Sequence, residues 1–237
     1  MGIVLVIDAT PLLLPGNMCD ERLWTGEIRA LLPGAIDADL SRDSSIIAMA
    51  ERALVVARGK LLPVGFSMGA IVALAIADLA PERLVGLILL DVNPAADLAE
   101  RAAVRPRQQA DVRFGRLLDV VVDELKPNYL AGGNRADSRL LSLLRDMALA
   151  LGPDTFIAQS EALRTRIDYR APAAALDCPM FIAGGAEDRL CPPQWHRELA
   201  ASVLRPTLHI IEDAGHMLPL EQPARLAAAL GPWLEML

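Results

Sequence analysis

The sequence predicts an α/β protein: a mostly parallel sheet flanked by helices, with a helical insertion after its middle strand. Three observations carry this. Short apolar runs at residues 3–7, 61–66 and 84–90 alternate with helix-like stretches as far as residue 94. Between 95 and 171 the alternation stops, and Phe114, Leu117, Leu118, Val121, Val122 and Leu125 fall at helical spacing. A strand pattern resumes at residues 179–183 and a last strand follows at 207–211. The expected division is a core of residues 1–94 and 172–237, with a cap, or lid, at 95–171.

Taken in order, residues 3–7 read as a buried strand and 11–14 as a short extended piece ending at Pro15-Gly16. After a loop at 17–20, a helix runs from about Glu21 to Leu32 and stops at Pro33-Gly34. Residues 35–40 form a weak strand, and Asp43-Ser44-Ser45 caps a helix reaching about Arg58. The strand before Ser67 and the apolar helix after it are closed by Pro81, and the strand at 84–90 ends in Asp91. Inside the insertion, Pro127 and Gly132-Gly133 break the chain, and 140–151 is helical until Gly152-Pro153. Helices at about 193–203 and 223–237 follow the two last strands.

The stretch that organises the chain is Gly65-Phe66-Ser67-Met68-Gly69, between a short apolar run and a helix apolar on every side. A serine at such a strand-to-helix turn is held in a strained conformation that lifts its hydroxyl clear of the sheet, and glycines flank it because the turn leaves no room for a Cβ. The same turn leaves the first helix amides unsatisfied beside the serine, where they can stabilise an oxyanion.

Composition narrows the partners. With 53% hydrophobic and 22% charged residues the chain has material for a full core. A net charge of -7 argues against nucleic acid, which needs clustered Lys and Arg over a broad face. Cys19, Cys178 and Cys191 have no metal-type spacing, so a reduced, cytoplasmic protein without a metal is expected. The amino terminus lacks a basic leader, and residues 61–77 are too interrupted for a membrane span, so no membrane association is expected.

Ser67, Asp188 and His216 each follow a predicted strand, and in an open parallel sheet those carboxyl ends share the edge where ligands bind. A serine hydroxyl needs a base to become nucleophilic, and imidazole suits that task; a carboxylate on the other ring nitrogen fixes the tautomer. His209 sits within a strand and His196 near the start of a surface-looking helix, which leaves His216 as the base. Asp188 competes with Asp91, which also ends a strand, and with its neighbour Glu187.

The ordered segments Leu12-Leu13-Leu14-Pro15-Gly16, Gly65-Phe66-Ser67-Met68-Gly69, Gly184-Gly185-Ala186-Glu187-Asp188 and Gly215-His216-Met217-Leu218-Pro219-Leu220-Glu221-Gln222-Pro223 resemble the motifs of α/β-hydrolase-fold esterases of the small carboxylesterase type. The resemblance covers both core segments and is weak over the insertion. It implies Ser67 as nucleophile, Asp188 as acid, His216 as base, and an oxyanion hole from the backbone amides of Met68 and Asn17. Pro15 stands where the family often has histidine, so that loop must be braced by other hydrogen bonds. With little room at the start for the strand hairpin common in the family, about six or seven strands are expected rather than eight.

The expected reaction is hydrolysis of a small-molecule carboxylic ester or thioester through an acyl-enzyme, with no cofactor, in a pocket whose lining includes Phe66 and Met217. A carbon-carbon hydrolase or lyase using the same three residues is one rival, and a non-catalytic ligand-binding protein on the same fold is the rival of another class; turnover of a simple ester separates an enzyme from the latter. Residues 100–116 carry a local charge of +3 from Arg101, Arg105, Arg107, Arg113 and Arg116 against Glu100 and Asp111, leaving -10 for the remainder. This basic region is a solvated helix face or a site that draws in an anionic substrate or an acidic acyl-carrying partner.

Overall fold

The structure, a computed structural model, describes residues 8–125 and 128–237. The strand expected at 3–7 and the break expected at Pro127 lie outside the described residues. Six strands, β1 (Thr10–Leu14), β2 (Ile36–Asp37), β3 (Leu61–Phe66), β4 (Leu87–Leu90), β5 (Met180–Gly185) and β6 (Pro206–Ile211), form one parallel sheet in the order β2-β1-β3-β4-β5-β6.

Successive strand residues point to opposite faces, and here both faces are apolar. Leu12, Leu14, Leu61, Leu87, Leu89, Met180 and Ile182 pack beneath α2 (Ile46–Val56) and α3 (Met68–Leu79). Leu13, Leu62, Val64, Phe66, Ile88, Leu90 and Phe181 pack on the other side beneath α1 (Gly26–Leu31) and the carboxyl-terminal helix Pro223–Leu234. Such two-sided burial explains why the strands read as continuous apolar runs. Helix α3 is buried from Met68 to Ala77, which accounts for its lack of a polar face.

The helix expected at 21–32 is split. Asp20 caps a single 3-10 turn, Glu21–Leu23, and the extended Trp24 and Thr25 separate it from α1 while Trp24 turns into the core. In the insertion, α4 (Ala99–Arg113) is followed by a wide π-type turn, Asp119–Leu125, and by α5 (Ser138–Arg164). The range α5 holds two helices joined across a kink at Gly152, where the first ends as expected. Gly152 adopts φ 78°, ψ 178°, a conformation open to glycine, and Pro153 restarts the helix without an amide of its own. Two short helices unmarked in the sequence, α6 (Arg170–Ala175) and α8 (Leu218–Glu221), join the larger elements; α7 (Pro193–Ser202) and α9 (Pro223–Leu234) complete the set.

The sheet register aligns Leu14 with Gly65, Phe66 with Leu90, and Leu90 with Ala183, so the chain leaves β1, β3, β4 and β5 along one edge. The first turn of α3 is pressed against that edge: a Cβ on Gly69 would run into the Leu14 carbonyl, and one on Gly65 into the backbone of Ala70. Gly69→Ala is expected to lower the free energy of unfolding by about 3 kcal/mol, since the obstacle is backbone that cannot move aside. Gly26→Ala, with open space around its Cβ position, should change stability by less than about 0.5 kcal/mol in the same urea titrations.

Candidate active site

Ser67 lies between β3 and α3 with φ 52° and ψ -113°, a strained conformation for a residue with a side chain. It is held there by its own amide, which donates to Leu90 O at 2.9 Å, and by its carbonyl, which accepts from Ala70 N at 3.0 Å and Ile71 N at 3.3 Å. The hydroxyl is thereby aimed at the loop after β6. His216 Nε2 lies 2.9 Å from Ser67 Oγ, and His216 Nδ1 lies 2.8 Å from Asp188 Oδ2.

Each partner is fixed in turn. The His216 amide donates to Tyr129 O at 2.7 Å, and the rings of Phe66 and Tyr129 flank the imidazole at 5.4 and 5.7 Å. Asp188 Oδ1 accepts from Leu190 N at 2.7 Å and Cys191 N at 2.9 Å. Burial alone would raise this carboxyl's pKa, but His216 and the two amides outweigh it and hold Asp188 below the usual carboxylate value. The sequence missed Glu221, whose Oε1 accepts from the amides of Gly215 and Met217 and whose Oε2 accepts from Ala131 N and Asn134 Nδ2. It fastens the His216 loop to the inserted segment. Only its place in the motif after His216 hinted at this.

The rival residues are placed elsewhere. Asp91 is buried, accepts from Gly185 N at 3.0 Å through Oδ1, and makes no hydrogen bond to His216. Burial and the nearby Asp188 charge push its pKa well up. Glu187 turns outward and accepts from Gly132 N. His209 stacks on Phe181. His196, expected on a surface-looking helix, is instead wholly buried against Gly184, with Nε2 accepting from Val92 N at 3.0 Å. The turn that begins α7 faces the sheet, which its mixed sequence did not reveal.

Among the described residues, the amides of Asn17 and Met68 donate to no protein group, and both residues line the cavity over Ser67. The loop carrying Asn17 is braced from α5: Gln159 Oε1 accepts from Met18 N at 2.8 Å and Asn17 Nδ2 at 3.1 Å, while its Nε2 donates to Leu40 O at 3.1 Å. Gln159 is the brace that Pro15 cannot supply. Nothing near it in sequence marks it, because it acts across a separation of 141 residues.

The cavity measures about 170 Å³, comparable to a space that admits a benzene-sized molecule, and is lined by Asn17, Ser67, Met68, Arg101, Arg105, Tyr129, Arg166 and His216 among others. Phe66 and Met217, expected in its lining, are not there. The Phe66 ring packs over Gly16 and beside His216, and Met217 is sunk in the core below. Asp188, Cys191 and His216 are the one group of potential metal ligands found among the described residues. Two of them are bonded to each other, and burial keeps the Cys191 thiol protonated, so the trio suits a hydrogen-bonded path better than an ion.

Residues 13–229 match the profile of the Alpha/beta hydrolase family. The chain belongs to this family. Among curated relatives of this α/β hydrolase are the biotin biosynthesis bifunctional protein BioHC of Cellvibrio japonicus, 25% identical over 95% of the chain and 47% of the relative, and the 2-hydroxymuconate semialdehyde hydrolase of Pseudomonas sp. strain CF600, 29% identical over 72% and 60%. The chain thus spans about half the length of the first and three-fifths of the second. A thermophilic esterase from Thermogutta terrifontis, solved with malate bound, superposes with a TM-score of 0.87 at 26% identity, covering 96% of this chain and 90% of that one. MenH from S. aureus shares the fold at a TM-score of 0.85 and 16% identity, over 98% and 95%. No helix among the described residues of this α/β hydrolase is long and apolar enough to cross a membrane.

Burial depresses the pKa of His196 to about 4, whereas an unfolded histidine titrates near 6.5. Between these values the unfolded chain binds the extra proton, so the stability held above pH 6.5 is lost as pH falls toward 4, by about 3 kcal/mol in all. His196→Gln keeps an acceptor toward Val92 N and should flatten this slope, measured by urea unfolding from about pH 4.5 to 7.

Proposed function

We propose that the protein is a serine hydrolase that cleaves a small-molecule carboxylic ester or thioester through an acyl-enzyme. The observation that carries this reading is the unbroken path Ser67 Oγ, His216 Nε2, His216 Nδ1, Asp188 Oδ2, with both contacts under 3 Å, beside two backbone amides with no other acceptor. The likeness to the Thermogutta esterase supports it.

In this reading Ser67 attacks the ester carbonyl as His216 takes its proton. The amides of Met68 and Asn17 hold the negative oxygen of the tetrahedral intermediate. His216 then gives the proton to the departing alkoxide, leaving an acyl group on Ser67 Oγ. A water molecule, deprotonated by His216, repeats the attack and releases the carboxylic acid. Asp188 holds the imidazole in the required tautomer and offsets its transient charge. This chemistry needs no metal or organic cofactor. Carbon-carbon cleavage by the same residues is a second reading, favoured by the 29% identity to the 2-hydroxymuconate semialdehyde hydrolase.

A fluorophosphonate is expected to label Ser67, and Ser67→Ala to abolish labelling and lower kcat on a short ester by about 10⁴- to 10⁶-fold. Labelling of another serine would end this reading. Asp188→Asn should lower kcat by about 10⁴-fold, whereas Asp91→Asn, which alters a side chain with no hydrogen bond to His216, should cost less than about tenfold. The reverse order would reassign the acid.

A further inference from the structure

The helix face that α4 turns to the cavity carries Arg101, Val104, Arg105 and Gln108, spaced three and four residues apart. Arg166 reaches the same cavity from beyond α5. Among the described residues lining the cavity, Asp97 is the sole carboxylate beside these three guanidinium groups. It is almost wholly buried and accepts from Arg105 Nε at 2.7 Å, Arg105 Nη2 at 3.3 Å and Arg166 Nη1 at 2.8 Å. Arg166 also donates to Ala95 O and Leu163 O, and Arg101 Nη2 donates to Leu190 O at 3.0 Å. Arg101 therefore has a carbonyl for a partner and no carboxylate. The lining keeps two positive charges in excess, in a chain whose net charge is -7.

The other arginines of this region behave differently. Arg107 is paired with Asp111 and Glu124, Arg116 with Asp111, and Arg113 is exposed, all away from the cavity. The basic stretch is thus two populations: one on the outer surface, where Arg107 and Arg116 are paired, and one turned inward and short of counter-charge. Confining cations in a cavity is costly unless an anion joins them. Burial, with Arg105 alongside, already draws Arg166 below its ordinary pKa despite the pull of Asp97. Among the described residues, Nη1 of Arg101 and Nη1 of Arg105 donate to no protein group, leaving donors of the planar kind that match a carboxylate.

We propose that the ester cleaved at Ser67 carries a second, ionised carboxylate, which Arg101 and Arg105 hold in the cavity, so that the preferred substrates are half-esters of short dicarboxylic acids. This rests on the serine hydrolase reading above. The shortness follows from the cavity's volume, which accommodates a chain of only a few carbons between the two carboxyl groups. The inward position of these arginines favours a small anion over an acidic protein, which would meet the outer ones, where Arg107 and Arg116 are already paired.

The test compares kcat/KM for monoethyl glutarate and its uncharged monoamide, ethyl glutaramate, by acid release in a pH-stat. A charge-assisted hydrogen bond predicts a preference of at least about tenfold for the acid. Arg101→Met, which removes only one protein hydrogen bond and so leaves the fold least disturbed, should reduce that ratio about tenfold, as should Arg105→Met; Arg107→Met should leave it unchanged. A ratio near one in the native enzyme, or one indifferent to Arg101→Met and Arg105→Met, overturns the proposal. A second measurement is independent of turnover: calorimetric binding of monoethyl glutarate to Ser67→Ala, expected to weaken about tenfold on adding Arg101→Met. If neither ester is hydrolysed and no serine is labelled, the hydrolase reading fails, and this binding experiment alone decides the anion site; no binding there overturns it.

Discussion

The site depends on one close approach, the first turn of α3 against the ends of β1 and β3. Gly65 and Gly69 leave out the two Cβ atoms that would hold these backbones apart. Three consequences follow from the same contact. Ser67, caught between strand and helix, is forced to positive φ; the Met68 amide is left facing outward; and the chain leaving β1 passes close enough for Asn17 to share its cavity. The strain at Ser67 persists because hydrogen bonds to Leu90, Ala70 and Ile71 surround it on both sides.

The sheet edge alone does not complete the site. The inserted segment returns to it at several points, among them Tyr129 O, which holds the His216 backbone, Ala131 and Asn134, which hold Glu221, and Gln159, which holds the loop of Asn17 and Met18. The kink at Gly152-Pro153 separates the two helices of α5, the second of which carries Gln159 to that loop. The insertion therefore positions backbone groups as well as lining the cavity.

Electrostatics beneath the site follow from burial. Asp91, Asp188 and His196 crowd together at the ends of β4 and β5, where three full charges could not coexist. Burial pushes the pKa of Asp91 up and that of His196 down, while two backbone donors and His216 hold Asp188 below the usual carboxylate value. Above the site the balance is opposite in sign, with arginines outnumbering carboxylates in the lining.

The sequence by itself determined the parallel sheet, the turn at Ser67 and the order in which serine, aspartate and histidine follow their strands. These are local properties: a run of apolar residues, a glycine where a Cβ cannot fit and a serine at a strand end are all written in contiguous residues. It also put forward His216, and Asp188 in competition with Asp91 and Glu187, because loops at the ends of parallel strands share an edge. Tertiary structure alone decided that His196 is buried, that Phe66 and Met217 lie beneath the cavity, that Gln159 replaces the expected brace, and that Arg101 and Arg105 face inward while Arg107 faces out. Each of these depends on the rotation of a helix about its axis or on a partner more than a hundred residues away. Spacing within a helix shows which residues share a face, but only packing fixes which way that face is turned.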